Sequence, residues 1–136
     1  MGRILAIDYG RKRCGLAVTD PLKLIATGLR TVEAHELIPF LRKYLPAEGV
    51  ERIVVGEPRN LDGSATDASA LVAEGVRVLE KNFPSVPVTL LDERFTSRMA
   101  SAAILASGVS RARRRDKALV DEVSATILLQ GYLQSV

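Results

Sequence analysis

The feature that most constrains the fold is a change of pattern after the first third of the chain. Three short apolar segments come first, with only brief polar loops between them. They predict three strands, Arg3 to Asp8, Cys14 to Val18 and Ile25 to Val32. Because the loops are so short, we expect an antiparallel meander, and Gly28 within the third segment favours an edge position for that strand.

Helical and strand-like patterns alternate over the rest of the chain. Two further buried strands are predicted, Arg52 to Val55 and Val86 to Leu91. The predicted helices are His35 to Tyr44, Ala65 to Phe83, Thr96 to Ser107 and Lys117 to Leu133. We therefore expect an α/β fold: a five-stranded mixed sheet, built from a three-strand antiparallel meander plus two parallel strands, with helices on both faces.

Length and composition favour one domain over residues 1–136. The chain has 136 residues, of which 47% are apolar and 26% are charged, as expected of a single domain with an ordinary core. The longest uncharged stretch, 123–136, is shorter and more polar than the roughly 20 apolar residues that span a bilayer. The first ten residues lack the apolar core of a signal peptide, so we expect a cytoplasmic protein.

Cysteine and histidine each occur once, which restricts the metal chemistry. Cys14 has no second cysteine for an internal disulfide, and with His35 alone the chain cannot build a zinc site of thiolates and imidazoles. A metal would have to be a hard cation that carboxylates bind.

The positive charge of the chain is concentrated in two places. Between Arg94 and Lys117 there are seven basic residues and one acidic residue, although the whole chain carries only +3. A smaller cluster, Arg11 to Arg13, follows the first predicted strand. Two basic loops that flank one surface would attract phosphate groups.

Three acidic residues stand at predicted element boundaries. Asp8 ends the first strand, Glu93 follows the fifth, and Asp121 lies one turn into the last helix. If the two strands are neighbours, Asp8 and Glu93 meet at one sheet edge, and Asp121 joins them if the last helix crosses that end. Clustered carboxylates suit Mg²⁺ or Mn²⁺, and two such ions about 4 Å apart can act on a phosphodiester.

Four segments resemble the YqgF family of the RNase H-like superfamily, in the family's order and spacing. They read ILAIDYGRKRCGLAVTD, IVVGEPRNLDGS, LLDERFTS and KALVDEVSATILLQGYL. The resemblance implies an RNase H-like sheet in which Asp8, Glu93 and Asp121 are the catalytic, metal-binding acids. Two departures are Glu57, where members commonly have an apolar residue, and Ser124, where related resolvases carry a fourth acid. Binding of one ion or of two therefore stays open.

The resemblance also implies a nucleic-acid substrate. Family members are associated with maturation of the 5′ end of the small-subunit ribosomal RNA precursor and, through their likeness to resolvases, with branched DNA. A resolvase would need two active sites and hence a homodimer. The residues expected to contact nucleic acid are Arg11, Lys12, Arg13, Arg59, Asn60, Arg94, Arg98, Arg111, Arg113, Arg114, Arg115 and Lys117.

Two other classes of protein share parts of the pattern. A strand followed by Asp-x-Gly also opens the actin-like and sugar-kinase ATPases, but their nucleotide cleft lies between two such domains, and this chain has the length of one. A non-catalytic RNA-binding module for ribosome assembly would keep the fold without using the acids. Retention of all three acids argues against that alternative.

Overall fold

Five strands, one 3-10 turn and three helices make up the part of the chain that the structure describes, which is residues 2–57, 67–92 and 117–135 of a computed structural model. The strands are β1 (Arg3–Tyr9), β2 (Arg13–Thr19), β3 (Ala26–Glu33), β4 (Val50–Glu57) and β5 (Val88–Asp92). The 3-10 turn is Ala34–Glu36, and the helices are α1 (Leu37–Glu48), α2 (Asp67–Asn82) and α3 (Lys117–Ser135).

The strands form one mixed sheet in the order β3-β2-β1-β4-β5. β1 pairs antiparallel with β2 and parallel with β4, β2 pairs antiparallel with β3, and β4 pairs parallel with β5. The predicted meander, the two added parallel strands and the edge position of β3 are therefore confirmed. The carboxyl ends of β1, β4 and β5 lie at one edge of the sheet, which we call the carboxyl edge.

Helices cover both faces of the sheet, because the strands are apolar on both sides. On β1, Leu5 and Ile7 join the core cluster under α1 and α2, while Ile4 and Ala6 join the cluster under α3. The α3 side of the second cluster is formed by Ala125, Leu128 and Leu129. Residues of one strand thus alternate between two cores, as the pleat of a strand requires.

The backbone of α3 packs directly on β2 because Gly15 has no side chain. A Cβ atom built on Gly15 would lie 2.0 Å from the carbonyl oxygen of Asp121 and 2.9 Å from the backbone nitrogen of Glu122. Real side chains do not reach such distances, so any other residue at this position would displace the helix. Gly15 therefore fixes where the first turns of α3 lie on the sheet.

The first helix differs from its predicted bounds of His35 to Tyr44. His35 lies in the 3-10 turn, and α1 continues past Pro46 to Glu48. Leu45 is buried one turn after Leu41, so packing holds the last turn in place despite the proline. The predicted helix from Thr96 to Ser107 lies outside the described residues. Within the described part, no helix is long and apolar enough to span a membrane.

Replacing Gly15 with Ala should destabilise the fold. The added methyl group overlaps the α3 backbone, which cannot move aside as a flexible side chain can, so we expect a loss of about 1–3 kcal/mol in urea denaturation. Gly131→Ala, in the same helix, is the matched control because, apart from its chain neighbours and its own helix backbone, no described residue has an atom within 4 Å of its Cβ position. It should stabilise the helix by up to about 1 kcal/mol. Equal effects of the two variants would contradict the close packing.

Burial of Cys14 should make the free energy of unfolding decrease as the pH rises above about 9. Burial, opposed by a hydrogen bond to Gly10 and assisted by the charges of Asp8 and Asp121, raises the pKa of its thiol from 9.0 to about 11. Between these values the unfolded chain binds fewer protons than the folded one, so the free energy of unfolding falls as pH rises. Cys14→Ala should be less stable overall and should lose less stability from pH 9 to pH 11 in urea titrations. Parallel pH profiles for the two proteins would contradict the shift.

Candidate active site

Asp8 and Asp121 lie at the carboxyl edge, on the face of the sheet that α3 covers. Asp8 follows Ala6 by two residues on β1, and the alternation of the strand puts it on the α3 face. Its register partner on β2 is Gly15, the residue on which the α3 backbone at Asp121 packs. The last helix therefore crosses the end of the sheet at Asp8. The sequence-based grouping of Asp8 with Asp121 depends on this crossing.

Both acids lie within electrostatic reach of the buried thiol of Cys14. Cys14 neighbours Gly15 on β2 and is fully buried. Burial raises the pKa of its thiol, and the negative charges of Asp8 and Asp121 raise it further. A cation close to these carboxylates would offset their charge.

Asp121 forms an ion pair with Arg13. The Arg13 Nε donates to Asp121 Oδ2 at 2.9 Å, with side-chain exposures of 35% for Arg13 and 24% for Asp121. Arg13 is two residues before Gly15 on β2, so its side chain lies on the α3 face. The sequence predicts a phosphate contact for Arg13 but does not predict this partner. Because Arg13 and Gly15 are two residues apart on one strand, they lie on the same face of the sheet. This spacing predicts a contact with α3 only when it is known that α3 packs on Gly15.

The loop between β1 and β2 holds its basic residues at the same edge. A Cβ on Gly10 would lie 2.4 Å from the Arg13 carbonyl oxygen, so the tight turn depends on glycine there. The loop is also tied to the 3-10 turn, because the Ala34 N–H donates to the Lys12 carbonyl oxygen at 2.8 Å. The side chains of Arg11 and Lys12 are exposed. Their charges thus extend from a fixed backbone beside Asp121.

These groups surround a cleft of about 580 Å³ at the carboxyl edge. Residues 9–13 form one wall, Ala68 and Leu71 of α2 form another, and Asp121 contributes the acidic group. Tyr9 reaches toward α2, where a Cβ on Gly75 would lie 2.6 Å from the phenol Cζ. The cleft is open and combines one carboxylate with three basic residues, which suits a charged, extended ligand better than an apolar one.

Most of the other predicted site residues lie outside the described part of the chain. They are Glu93, Arg59, Asn60, Arg94, Arg98, Arg111, Arg113, Arg114 and Arg115. Lys117 begins α3, but only its backbone is described. Asp92, the residue before Glu93, ends β5 at the carboxyl edge as the register partner of Glu57.

The extra acid Glu57 lies on the other face of the sheet from Asp8. It follows Val55 by two residues on β4, and Val55 belongs to the core under α1 and α2. Glu122 is also separated from Asp8, since its carboxylate lies over Gly28 on β3, two strands away from β1. Neither residue extends the Asp8 and Asp121 pair.

The chemistry of the donors fits a hard divalent cation. Asp8 and Asp121 offer carboxylate oxygens, the ligands that Mg²⁺ and Mn²⁺ prefer. Ser124, one turn after Asp121, is only 1% exposed, and its Oγ has no hydrogen-bond partner among the described residues. An unsatisfied buried hydroxyl beside this carboxylate is compatible with a polar ligand at the site.

A second group of potential ligand atoms lies where β3 ends and the 3-10 turn begins. The side chains of Glu33, His35 and Glu36 bring ligand atoms within 4.8 Å of one another, and all three are exposed. The His35 Nε2 lies 3.5 Å and 3.7 Å from the two carboxylates, so the group forms its own exposed ion pairs when the imidazole is protonated. This group is separate from the acids that the sequence predicts as ligands.

Comparison with protein families gives a match over nearly the whole chain. The model of the RuvX family, described as Holliday junction resolvase, matches residues 2–135. A Porphyromonas gingivalis protein named "Putative pre-16S rRNA nuclease" is 56% identical over 135 residues, covering 99% of this chain and 98% of that protein. A protein of the same name from Christiangramia forsetii is 51% identical over 133 residues, covering 98% of each chain.

Solved structures resemble this chain at the level of the fold. RuvC of T. thermophilus in complex with a Holliday junction substrate has a TM-score of 0.56 and 16% sequence identity, covering 99% of this chain and 95% of that one. A further structure of Thermus thermophilus RuvC has a TM-score of 0.55, also at 16% identity. These likenesses confirm the predicted RNase H-like fold.

Proposed function

Because this chain belongs to the RuvX family, we propose that it is a divalent-metal-dependent nuclease that hydrolyses phosphodiester bonds in structured nucleic acid. The single observation that carries the proposal is the position of Asp121 on α3, which packs over the register partner of Asp8. Two acids from elements far apart in sequence thereby lie at one edge of the sheet, beside Arg11 and Lys12 of the loop and Arg13 of β2.

Asp8, Asp121 and Glu93 are the proposed ligands of Mg²⁺ or Mn²⁺. Glu93 directly follows Asp92, which ends β5 at the carboxyl edge. Glu93 is included because the resemblance to the YqgF family implies it. β4 lies between β1 and β5, so these strands are not the neighbours on which the sequence-based grouping of Asp8 with Glu93 depended. When bound by such acids, a divalent cation lowers the pKa of water and neutralises charge on a phosphate.

The charged residues at the carboxyl edge have separate tasks in this proposal. Asp8 and Asp121 concentrate negative charge at the end of β1, where a cation is needed. Arg11 and Lys12 attract and hold phosphate groups of the backbone from an exposed loop. Because these side chains bind phosphates rather than bases, they position a strand at the acids without selecting its sequence.

The preferred substrate in this proposal is the 5′ end of precursor 16S rRNA, after the names of the relatives from P. gingivalis and C. forsetii. A branched DNA junction is the second candidate, because the family is described as Holliday junction resolvase and RuvC binds such a junction. Resolution of a junction would require two copies of this chain, whereas trimming of one RNA end would require one.

Asp8→Asn should abolish cleavage while leaving the fold and nucleic-acid binding intact. Removing a group that only hydrogen-bonds to a metal ligand costs about 10- to 100-fold, so removing a ligand itself should lower the rate by more than about 100-fold. The assay measures Mg²⁺- and Mn²⁺-dependent cleavage of a precursor-rRNA fragment, a single-stranded RNA and a four-way DNA junction. Glu57→Gln, which changes an acid at the same edge on the opposite face, is the control and should cleave normally.

The ranking of substrates in this assay separates the two candidates. Preferential cleavage of the rRNA fragment supports RNA processing, and symmetric cleavage of the junction supports resolution. Undiminished cleavage by Asp8→Asn would show that the site is elsewhere. Binding of RNA without cleavage of any substrate would favour the non-catalytic module.

Removing two charges of the basic loop should weaken nucleic-acid binding and its salt dependence. The logarithm of the binding constant falls with the logarithm of the salt concentration, and each phosphate that a basic side chain neutralises makes this slope steeper by about 0.9 on duplex DNA. The double variant Arg11→Ala with Lys12→Ala should therefore make the slope shallower by about 2. Lys43→Ala with Lys81→Ala removes the same charge from exposed positions on α1 and α2, outside the cleft. Filter binding over a salt series should show an unchanged slope for that control, and an unchanged slope for both would exclude the loop from the interface.

A further inference from the structure

The ion pair between Arg13 and Asp121 places a fixed positive charge on a proposed metal ligand. Asp121 Oδ2 accepts the hydrogen bond from Arg13 Nε at 2.9 Å. A divalent cation that approaches this carboxylate meets a guanidinium that already neutralises it. The same guanidinium lines the cleft together with Arg11 and Lys12, where phosphates are expected to bind.

On the basis of the proposed function, we propose that Arg13 is a positioning residue that couples nucleic-acid binding to metal binding. In the free protein Arg13 pairs with Asp121 and lowers the affinity of the site for a divalent cation. A phosphate in the cleft draws the guanidinium away from Asp121. The negative charge of the carboxylate is then no longer neutralised by Arg13, so the metal binds more tightly when nucleic acid is present.

The chemistry of arginine supports such an exchange of partners. A guanidinium has five N–H donors in a planar fork that matches phosphate as well as carboxylate geometry. The bond to Asp121 uses Nε, so the terminal nitrogens can make a first contact with a phosphate while that bond persists. A bidentate contact that includes Nε then requires Arg13 to leave Asp121, which exchanges one oxyanion for another of similar geometry.

The position of Arg13 allows the side chain to move without the backbone. Its backbone is held in the sheet by register pairing with Glu33 on β3, and the following residues lie in the interior of β2. Its side chain is 35% exposed, so the ion pair is open to solvent and to a ligand in the cleft. A partly solvated ion pair is weak enough for a polyanion to compete with it.

The test measures the affinity of the whole chain for Mn²⁺ by electron paramagnetic resonance, without nucleic acid and with a short DNA duplex. Binding of Mn²⁺ to the duplex alone is subtracted, and a gel confirms that the duplex is intact after each titration. The variants are Arg13→Gln and the matched control Arg77→Gln, which removes the same charge from an ion pair with Glu74 on α2, outside the cleft.

Arg13→Gln should bind Mn²⁺ about tenfold more tightly than the wild type when no duplex is present, and Arg77→Gln should differ from the wild type by less than about threefold. The duplex should tighten binding about tenfold in the wild type and in Arg77→Gln, but much less in Arg13→Gln. In an Asp121→Asn background the effect of Arg13→Gln should disappear. Should Arg13→Gln unfold, Arg13→Lys, which keeps the charge without the planar fork, should give a smaller gain in the same direction.

Weaker binding of Mn²⁺ to Arg13→Gln, or equal effects of Arg13→Gln and Arg77→Gln, would overturn the coupling and leave an ion pair that only joins α3 to β2. In that case the proposed function still stands if cleavage depends on Asp8. If the wild type and Asp121→Asn bind Mn²⁺ equally with and without duplex, the metal site itself is wrong, and both proposals fall.

Discussion

The candidate site depends on one packing contact, the direct approach of the α3 backbone to Gly15. A helix that packs on a sheet through side chains keeps its backbone away from the strands, but here the missing Cβ of Gly15 lets the Asp121 carbonyl lie against β2. Buried side chains of α3 increase in size with distance from this contact, from Ser124 and Ala125 to Leu128 and Leu129. The close approach is thus confined to the carboxyl edge, where the acids are.

The order of elements and the position of Asp8 follow from the sequence, because both depend on local pattern. Alternating apolar residues predict the strands. Asp8 lies two residues after Ala6, so it is on the same face of the sheet, and that face is identified once the core of each face is known. The location of Asp121 does not follow in the same way, since a helical pattern shows which face is apolar but not which strand it crosses. The resemblance to a family supplied that grouping before the structure did.

The surroundings of Arg13 show a second limit of sequence reasoning. Three consecutive basic residues read as one phosphate-binding cluster, but the strand begins within the cluster. Arg11 and Lys12 lie in the loop and are exposed, whereas Arg13 is already on β2 and its side chain binds Asp121 on α3. Similar charges therefore have different surroundings, and only the boundary between loop and strand separates them.

Opposite charges at one edge of a sheet have a consequence for the order of binding. Acids that attract a cation repel a phosphate backbone, and basic residues that attract the backbone repel the cation. Each ligand that binds alone is therefore opposed by side chains of its own charge. When both bind, each neutralises the charge that opposed the other, and their affinities are linked by the same factor in both directions. Under the proposed function, acids beside the basic loop between β1 and β2 would favour joint occupancy by nucleic acid and metal. The ion pair of Arg13 with Asp121 offsets part of the charge of the unliganded site.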